Sequence, residues 1–158
     1  MSPAQAAEAN ESLVVFRLDD QRYAIGLTAV ERVLRMVEIS PFPKAPEIVS
    51  GAIDLHGELL PVLNIRRRFR LLERAPTVRD LLVIARTRRR RVALIVDEVE
   101  GVFETPASER VAADTVAPGL EYLRGVTRLE PHGLVFIHDL ETFLSLDEEK
   151  ALEAAEAR

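Results

Sequence analysis

The strongest constraint on the fold of this chain is a pattern of apolar segments that occurs twice in the same order. Leu13–Phe16 resembles Leu81–Ile84, and Tyr23–Ile25 resembles Val92–Leu94. The series continues with three further matches: Val30 and Val33 with Val99 and Val102, Gly51–Leu55 with Gly125–Leu129, and Leu60–Ile65 with Val135–Leu140. Few of these pairs are identities, so chance similarity is the alternative. The kept order favours a duplication, which predicts two small β-barrels of about five strands each.

The local patterns agree with a mainly β protein that has short helices and a C-terminal helix. Short apolar and β-branched runs are separated by turn residues, as in hairpins. The proline-rich stretch Pro41–Pro46 predicts a rigid loop, and residues 104–121 also predict a loop. Asn64 is a suitable N-cap for a helical turn, and the Ala- and Glu-rich tail from Asp147 predicts a helix.

These patterns divide the chain into three parts. Residues 1–11 are small and polar, and we expect them to be disordered. Residues 12–146 form a single domain, with one barrel at about 12–75 and a second at about 78–145, between which strands can be exchanged. Residues 147–158 form a C-terminal helix or tail.

Composition indicates an ordinary globular protein that stays in the cytoplasm. Hydrophobic residues make up 47% of the 158 residues, charged residues 30%, and there is no cysteine. The N-terminus lacks the basic and apolar regions of a secretion signal. Apolar runs such as Leu81–Ala85 are far shorter than the roughly 20 residues of a membrane span, so we expect no membrane insertion.

No set of residues resembles a reaction centre. The chain lacks a nucleophile elbow and a nucleotide-binding glycine loop. His56, His132 and His138 do not have the spacing of a zinc pair. Asp97 and Glu98 could form a pair of catalytic acids, but a turn that ends a strand explains them better. We therefore expect a protein that is not an enzyme and needs neither a metal nor another cofactor.

Two arginine-rich runs, Arg66–Arg70 and Arg86–Arg91, raise the alternative of nucleic-acid binding. The net charge of −5 and the 5% aromatic content argue against it, because phosphate attraction needs positive charge and base stacking needs aromatic rings. We expect the second run to be a solvated hairpin turn and predict no nucleic-acid partner.

Several segments resemble the CheW family of chemotaxis coupling proteins. Gly51–Gly57, Gly-Ala-Ile-Asp-Leu-His-Gly, is similar to the family pattern Gly-Val-Ile-Asn-Leu-Arg-Gly, and Pro61–Arg66 is similar to the Pro-Val-Val-Asp-Leu-Arg that follows it. Ala93–Val99 resembles Gly-Leu-Val-Val-Asp-x-Val. Tyr122–Val126 and Val135–Leu140 resemble the two closing strands. The ordered set covers roughly residues 13–144, and it is more specific than any single motif.

This resemblance implies two five-stranded SH3-like barrels with a groove between them and two protein partners. One partner is the regulatory domain of a CheA-type histidine kinase, and the other is the helical cytoplasmic tip of a chemoreceptor, held as a helix in a groove. The implied kinase contacts are Gly57 and Glu58. The implied receptor groove consists of Val30, Val33, His56, Leu81, Leu82 and Val99. Some of these valines could instead be core residues.

Two departures from the family pattern bear on the receptor partner. His56 stands where the family has an arginine, and a histidine lacks the bidentate guanidinium fork. Arg32 stands where the family has a glutamate, although Glu31 precedes it. The alternative function is therefore a CheW-like regulator of a divergent chemosensory system, for pili motility or development, with a different receptor.

Overall fold

The computed structural model of the chain describes residues 10–106, 111–112 and 123–157. Those residues form eleven strands and two α-helices, with 3-10 turns at Leu27–Ala29 and Leu140–Thr142. The strands are β1 Asn10–Leu18, β2 Gln21–Gly26, β3 Val30–Arg35, β4 Val49–Leu55, β5 Glu58–Leu63, β6 Leu81–Arg86, β7 Arg91–Val96, β8 Glu98–Pro106, β9 Val111–Ala112, β10 Leu123–Leu129 and β11 Gly133–His138. The helices are α1 Ile65–Arg68 and α2 Leu146–Glu156.

The described strands form two sheets with the same hydrogen-bonding pattern. One sheet has the order β8-β1-β2-β11-β10-β9, and the other has the order β3-β6-β7-β5-β4. In the first sheet, β2 of the antiparallel β1–β2 hairpin pairs in parallel with β11. In the second sheet, β7 of the antiparallel β6–β7 hairpin pairs in parallel with β5. Both β11 and β5 are the second strands of their own hairpins. The duplicated, mainly β architecture is therefore confirmed, and β9 adds a short sixth strand to the first sheet.

The third strand of each half belongs to the sheet of the other half. β3 follows β2 along the chain but pairs with β6, and β8 follows β7 but pairs with β1. The first compact unit therefore takes in the described residues of Met1–Val30 and Glu98–Leu140, and the second takes in those of Glu31–Asp97 and Glu141–Arg158. Neither unit is continuous in sequence, and the exchange of strands that was allowed between the ranges 12–75 and 78–145 involves β3 and β8. Apolar patterning identifies a strand without naming the strand it pairs with.

The N-terminal segment and the segment 104–121 both contain strand residues that were not predicted. β1 begins at Asn10, so residues 10 and 11 are paired with β8 and not disordered. The predicted loop 104–121 includes the end of β8 and the short β9. Residues 1–9, 107–110, 113–122 and 158, including Tyr122, lie outside the described part.

Each unit has its own apolar core. In the first unit, the cluster of fully buried side chains comprises Leu13, Val15, Ala24, Val135 and Ile137. The partly buried Phe103 and Leu129 pack against it. In the second unit, the corresponding cluster comprises Ile53, Leu60, Val62, Leu82, Ile84 and Ala93. Burial of apolar surface at about 25 cal/mol per Å² is the main term that stabilises such clusters.

Both helices begin with side-chain caps. The Asn64 side chain accepts the N–H of Arg67 at 3.1 Å, as its position before α1 predicts. Ser145 forms a capping box with Glu148 at the start of α2, so this predicted helix is confirmed and begins just before Asp147. Among the described residues, no helix is long and apolar enough to cross a membrane.

The start of β4 requires a glycine because another backbone segment lies against it. A Cβ on Gly51 would lie 2.5 Å from the carbonyl oxygen of Ser40 and 2.7 Å from Ile39 Cγ2. Ser40 and Ala52 exchange two backbone hydrogen bonds of 2.8 Å beside this point, so the segment cannot withdraw without breaking them.

We predict that Gly51→Ala lowers the free energy of unfolding by roughly 1–3 kcal/mol, the usual cost of overpacking. Urea unfolding measures the change. Gly26→Ala is the matched control, because the nearest atom to its Cβ would be 3.5 Å away, an ordinary contact. Equal effects of the two substitutions would contradict the close approach at Gly51.

Candidate protein-interaction surface

The β4–β5 hairpin presents the tip that the sequence singled out. His56 and Gly57 have φ angles of 54° and 89°, and two successive positive φ values are typical of a tight hairpin turn whose twist matches that of the strands. The N–H of Gly57 donates to Asp54 Oδ1 at 2.8 Å, which fixes the turn. His56, Gly57 and Glu58 are all exposed, so this tip is accessible to another protein.

The predicted receptor residues have different environments and belong to different units. Val33 is 40% exposed, and Leu81 is half-buried in the second unit. Val30 and Val99 are half-buried and belong to the first unit. Leu82 is fully buried in the core of the second unit, so it has no surface to offer a partner, and we remove it from the candidate surface.

One apolar side chain at the hairpin was missed by the sequence analysis. Leu59 follows Glu58 on β5 and is 62% exposed. Strand alternation could have predicted this exposure. Leu60 and Val62 face the core, so the side chain of Leu59 must face away from it. Leu59 adds apolar surface next to the exposed tip.

Charged side chains connect four strands beside the hairpin. Glu31 on β3 accepts from Arg86 Nε at 3.3 Å and from Arg91 Nε at 2.9 Å. Arg91 also donates through Nη1 to Glu58 at 2.5 Å. The hydrogen bond from Arg91 is the largest influence on Glu31 and holds the pKa of that carboxyl below its ordinary value. We call these four residues, Arg86, Glu31, Arg91 and Glu58, the charge ladder.

A second charged cluster explains the acidic pair that the sequence raised as a catalytic candidate. Asp97 accepts two hydrogen bonds from Arg66, at 2.8 and 3.0 Å, and one from Arg74 at 2.7 Å. Arg74 also binds Asp80, which is only 3% exposed. Burial alone would raise the pKa of Asp80, but hydrogen bonds from Arg74 and the Thr77 N–H hold it below its ordinary value. Asp97 therefore has a structural role at the end of β7.

A cavity of about 290 Å³ lies beside this cluster in the second unit. Its wall includes Arg66 and Arg74, together with apolar side chains such as Ile39 and Ile95. Both guanidinium groups donate to Asp97, which offsets part of the positive charge in the cavity wall.

The second arginine run forms the predicted hairpin turn between β6 and β7, and Arg86, Arg88 and Arg89 are exposed, but Arg90 is not solvated. The Arg90 side chain is 9% exposed and binds Glu149 at 2.9 Å and Glu156 at 2.8 Å. Arg68, from the first run, binds Glu148 at 2.5 Å. These pairs join the β6–β7 turn and α1 to α2, and they use positive charge that nucleic-acid binding would require.

The remaining histidines pack against aromatic rings. His132 lies edge-on to Phe103, with ring centroids 5.3 Å apart, and His138 lies 5.6 Å from Tyr23. In the described part of the chain, no group of three or more His, Cys, Asp or Glu side chains could hold a metal ion.

The lowered pKa of Asp80 predicts an acid-sensitive stability. A carboxyl whose folded pKa is depressed stabilises the protein above its unfolded pKa of about 3.9, and this contribution is lost as the pH falls through the folded value. We predict that Asp80→Asn lowers the free energy of unfolding at pH 7 by roughly 1–3 kcal/mol and flattens its decline below about pH 4.

Urea unfolding between about pH 2 and pH 7 measures both effects. Arg74→Gln removes the partner and keeps the carboxyl, so it should also reduce the acid-dependent loss. If neither substitution changes how the free energy of unfolding falls with pH, other carboxyl groups must control the acid sensitivity.

Comparisons with known proteins agree with this architecture. A family model described as the CheW-like domain matches residues 12–148. A chemotaxis protein CheW from Rhizobium meliloti (strain 1021) is 28% identical over 141 residues, covering 88% of this chain and 90% of the relative. Protein FrzA from Myxococcus xanthus is 28% identical over 131 residues, covering 79% of each chain. The crystal structure of the scaffolding protein TtCheW from Thermoanaerobacter tengcongensis has the same fold, with a TM-score of 0.79 at 23% identity over 89% of this chain and 96% of that one. The chain therefore belongs to the CheW-like family and is a chemotaxis coupling adaptor.

Proposed function

We propose that this protein couples chemoreceptors to a CheA-type histidine kinase in the cytoplasm and catalyses no reaction itself. The observation that carries the proposal is the family match, which extends over residues 12–148 and so includes strands of both units. The described surface supports it, because exposed apolar side chains and a fixed hairpin tip suit protein binding.

The receptor contact is proposed to include Val33 and the hairpin residue His56. β3 is the terminal strand of its sheet, and Val33 is 40% exposed on it. An amphipathic receptor helix could bury such an apolar side chain while the polar rim stays hydrated. Val30, Leu81 and Val99 remain candidates for receptor binding because each keeps part of its surface.

The kinase contact is proposed to include Gly57 and Glu58. Both residues lie at the exposed end of the hairpin, and the Glu58 side chain is 56% exposed. The partner surface would be the regulatory domain of the kinase. Because Glu58 already binds Arg91, it is held in one position before the kinase arrives, which lowers the entropy cost of binding.

A second candidate function is regulation of a divergent chemosensory system, such as one for pili motility or development. His56 and Arg32 depart from the family pattern, and FrzA is among the similar proteins. Arg32 is exposed on β3, so its reversed charge would meet a partner directly. This candidate keeps the adaptor function and changes the receptor.

We predict that Val33→Asp weakens binding to the receptor tip by about tenfold or more, since an apolar contact would be replaced by a charge that must be desolvated. Val102→Asp is the matched control and should keep the wild-type affinity, because Val102 is the counterpart of Val33 in the other half and is 56% exposed. Calorimetry with the receptor tip and the kinase regulatory domain encoded beside this protein measures both affinities. Failure of the wild type to bind either partner would end the proposal.

We further predict that His56→Arg strengthens binding to the tip of an ordinary chemoreceptor by about tenfold, because a guanidinium can form bidentate hydrogen bonds that imidazole cannot. The same calorimetric titration, with His56→Gln as the control, measures the gain. An unchanged affinity for that tip would remove His56 as the reason for a divergent partner.

A further inference from the structure

Two arginines of the charge ladder lie directly opposite each other. Arg86 and Arg91 are cross-strand partners in the β6–β7 pair. Like charges in this position repel and destabilise the strands. Glu31 offsets the repulsion by accepting from both guanidinium groups, so β3 is joined to the β6–β7 hairpin by side chains.

Arg91 has a different environment from Arg86. The Arg91 side chain is 15% exposed, whereas that of Arg86 is 62% exposed. Arg91 binds two carboxylates on two different strands, Glu31 on β3 and Glu58 on β5. Because the Arg91 side chain is more covered than that of Arg86, its ion pair with Glu31 is less screened by water than the Arg86–Glu31 pair.

The position of Arg91 places these contacts at the end of the apolar core. Alternate residues of a strand face the same side of a sheet. Arg91 therefore faces the side of Ala93, and Glu58 faces the side of Leu60, both of which belong to the core cluster of the second unit. Movement of Glu58 would thus disturb the hairpin at the point where it joins the core.

We propose that Arg91 is a positioning residue that holds β3 and the β4–β5 hairpin in the arrangement that binds both partners. This inference rests on the proposed function, because β3 carries Val33 and the hairpin carries His56, Gly57 and Glu58. Arg91 acts through Glu31 and Glu58 and need not touch a partner itself.

The test compares Arg91→Gln with Arg68→Gln in the full chain. The Arg68 side chain is 13% exposed and binds Glu148 of α2, so its loss removes an ion pair of similar burial that joins α1 to α2 instead of β3 to the hairpin. Arg91→Gln should weaken binding of both the receptor tip and the kinase regulatory domain by about tenfold. Arg68→Gln should lower the melting temperature and leave both affinities unchanged.

Two further measurements separate positioning from general stability. Arg91→Lys should restore part of the affinity, because it keeps the charge but cannot bridge two carboxylates with a planar fork. Hydrogen exchange at the Gly57 N–H should be faster in Arg91→Gln than in Arg68→Gln, because only the former loosens the hairpin.

The outcomes distinguish this inference from the function on which it rests. Wild-type affinities retained by Arg91→Gln, or an equal loss in Arg68→Gln, would overturn the role of Arg91 and leave the adaptor function standing. If the wild type binds neither partner, the adaptor function falls, and equal Gly57 exchange in the two variants would then overturn the positioning role as well.

Discussion

The structure depends on backbone pairing between segments that are distant in sequence. β1 is joined to β8 along most of its length, from Asn10 opposite Pro106 to Arg17 opposite Glu98. Each sheet also requires a parallel pair, β2 with β11 or β7 with β5. Because both halves of the chain contribute to each sheet, neither half contains a complete set of hydrogen-bonding partners. The cost of closing these long loops is offset by the burial of two apolar cores.

Ion pairs between arginines and carboxylates form a second set of contacts between distant segments. The described residues of the second unit include Arg66 with Asp97, Arg90 with Glu149, and Arg91 with Glu31. A guanidinium can bind two carboxylates at once, so a single arginine can join three elements of the chain. This property gives the arginine-rich segments a structural role, and it is consistent with an adaptor that must present a fixed surface.

An adaptor acts through its surfaces, and the hairpin shows how such a surface is built. His56 and Gly57 adopt positive φ values, Asp54 accepts the Gly57 N–H, and Arg91 holds Glu58. The residues exposed at the tip are thus fixed by residues behind it. A preformed surface loses less conformational entropy when a partner binds.

Local apolar alternation and turn residues were enough to predict most of the strands and the duplication from the sequence alone. The family followed from the resemblance of several ordered motifs. The sequence did not determine which strands exchange sheets, that Leu82 is inaccessible, or that Arg90 and Asp97 are committed to ion pairs. Each of these depends on which distant segments meet. Local patterning shows that a residue is apolar or charged, but only the tertiary structure decides which side chain or strand lies opposite it.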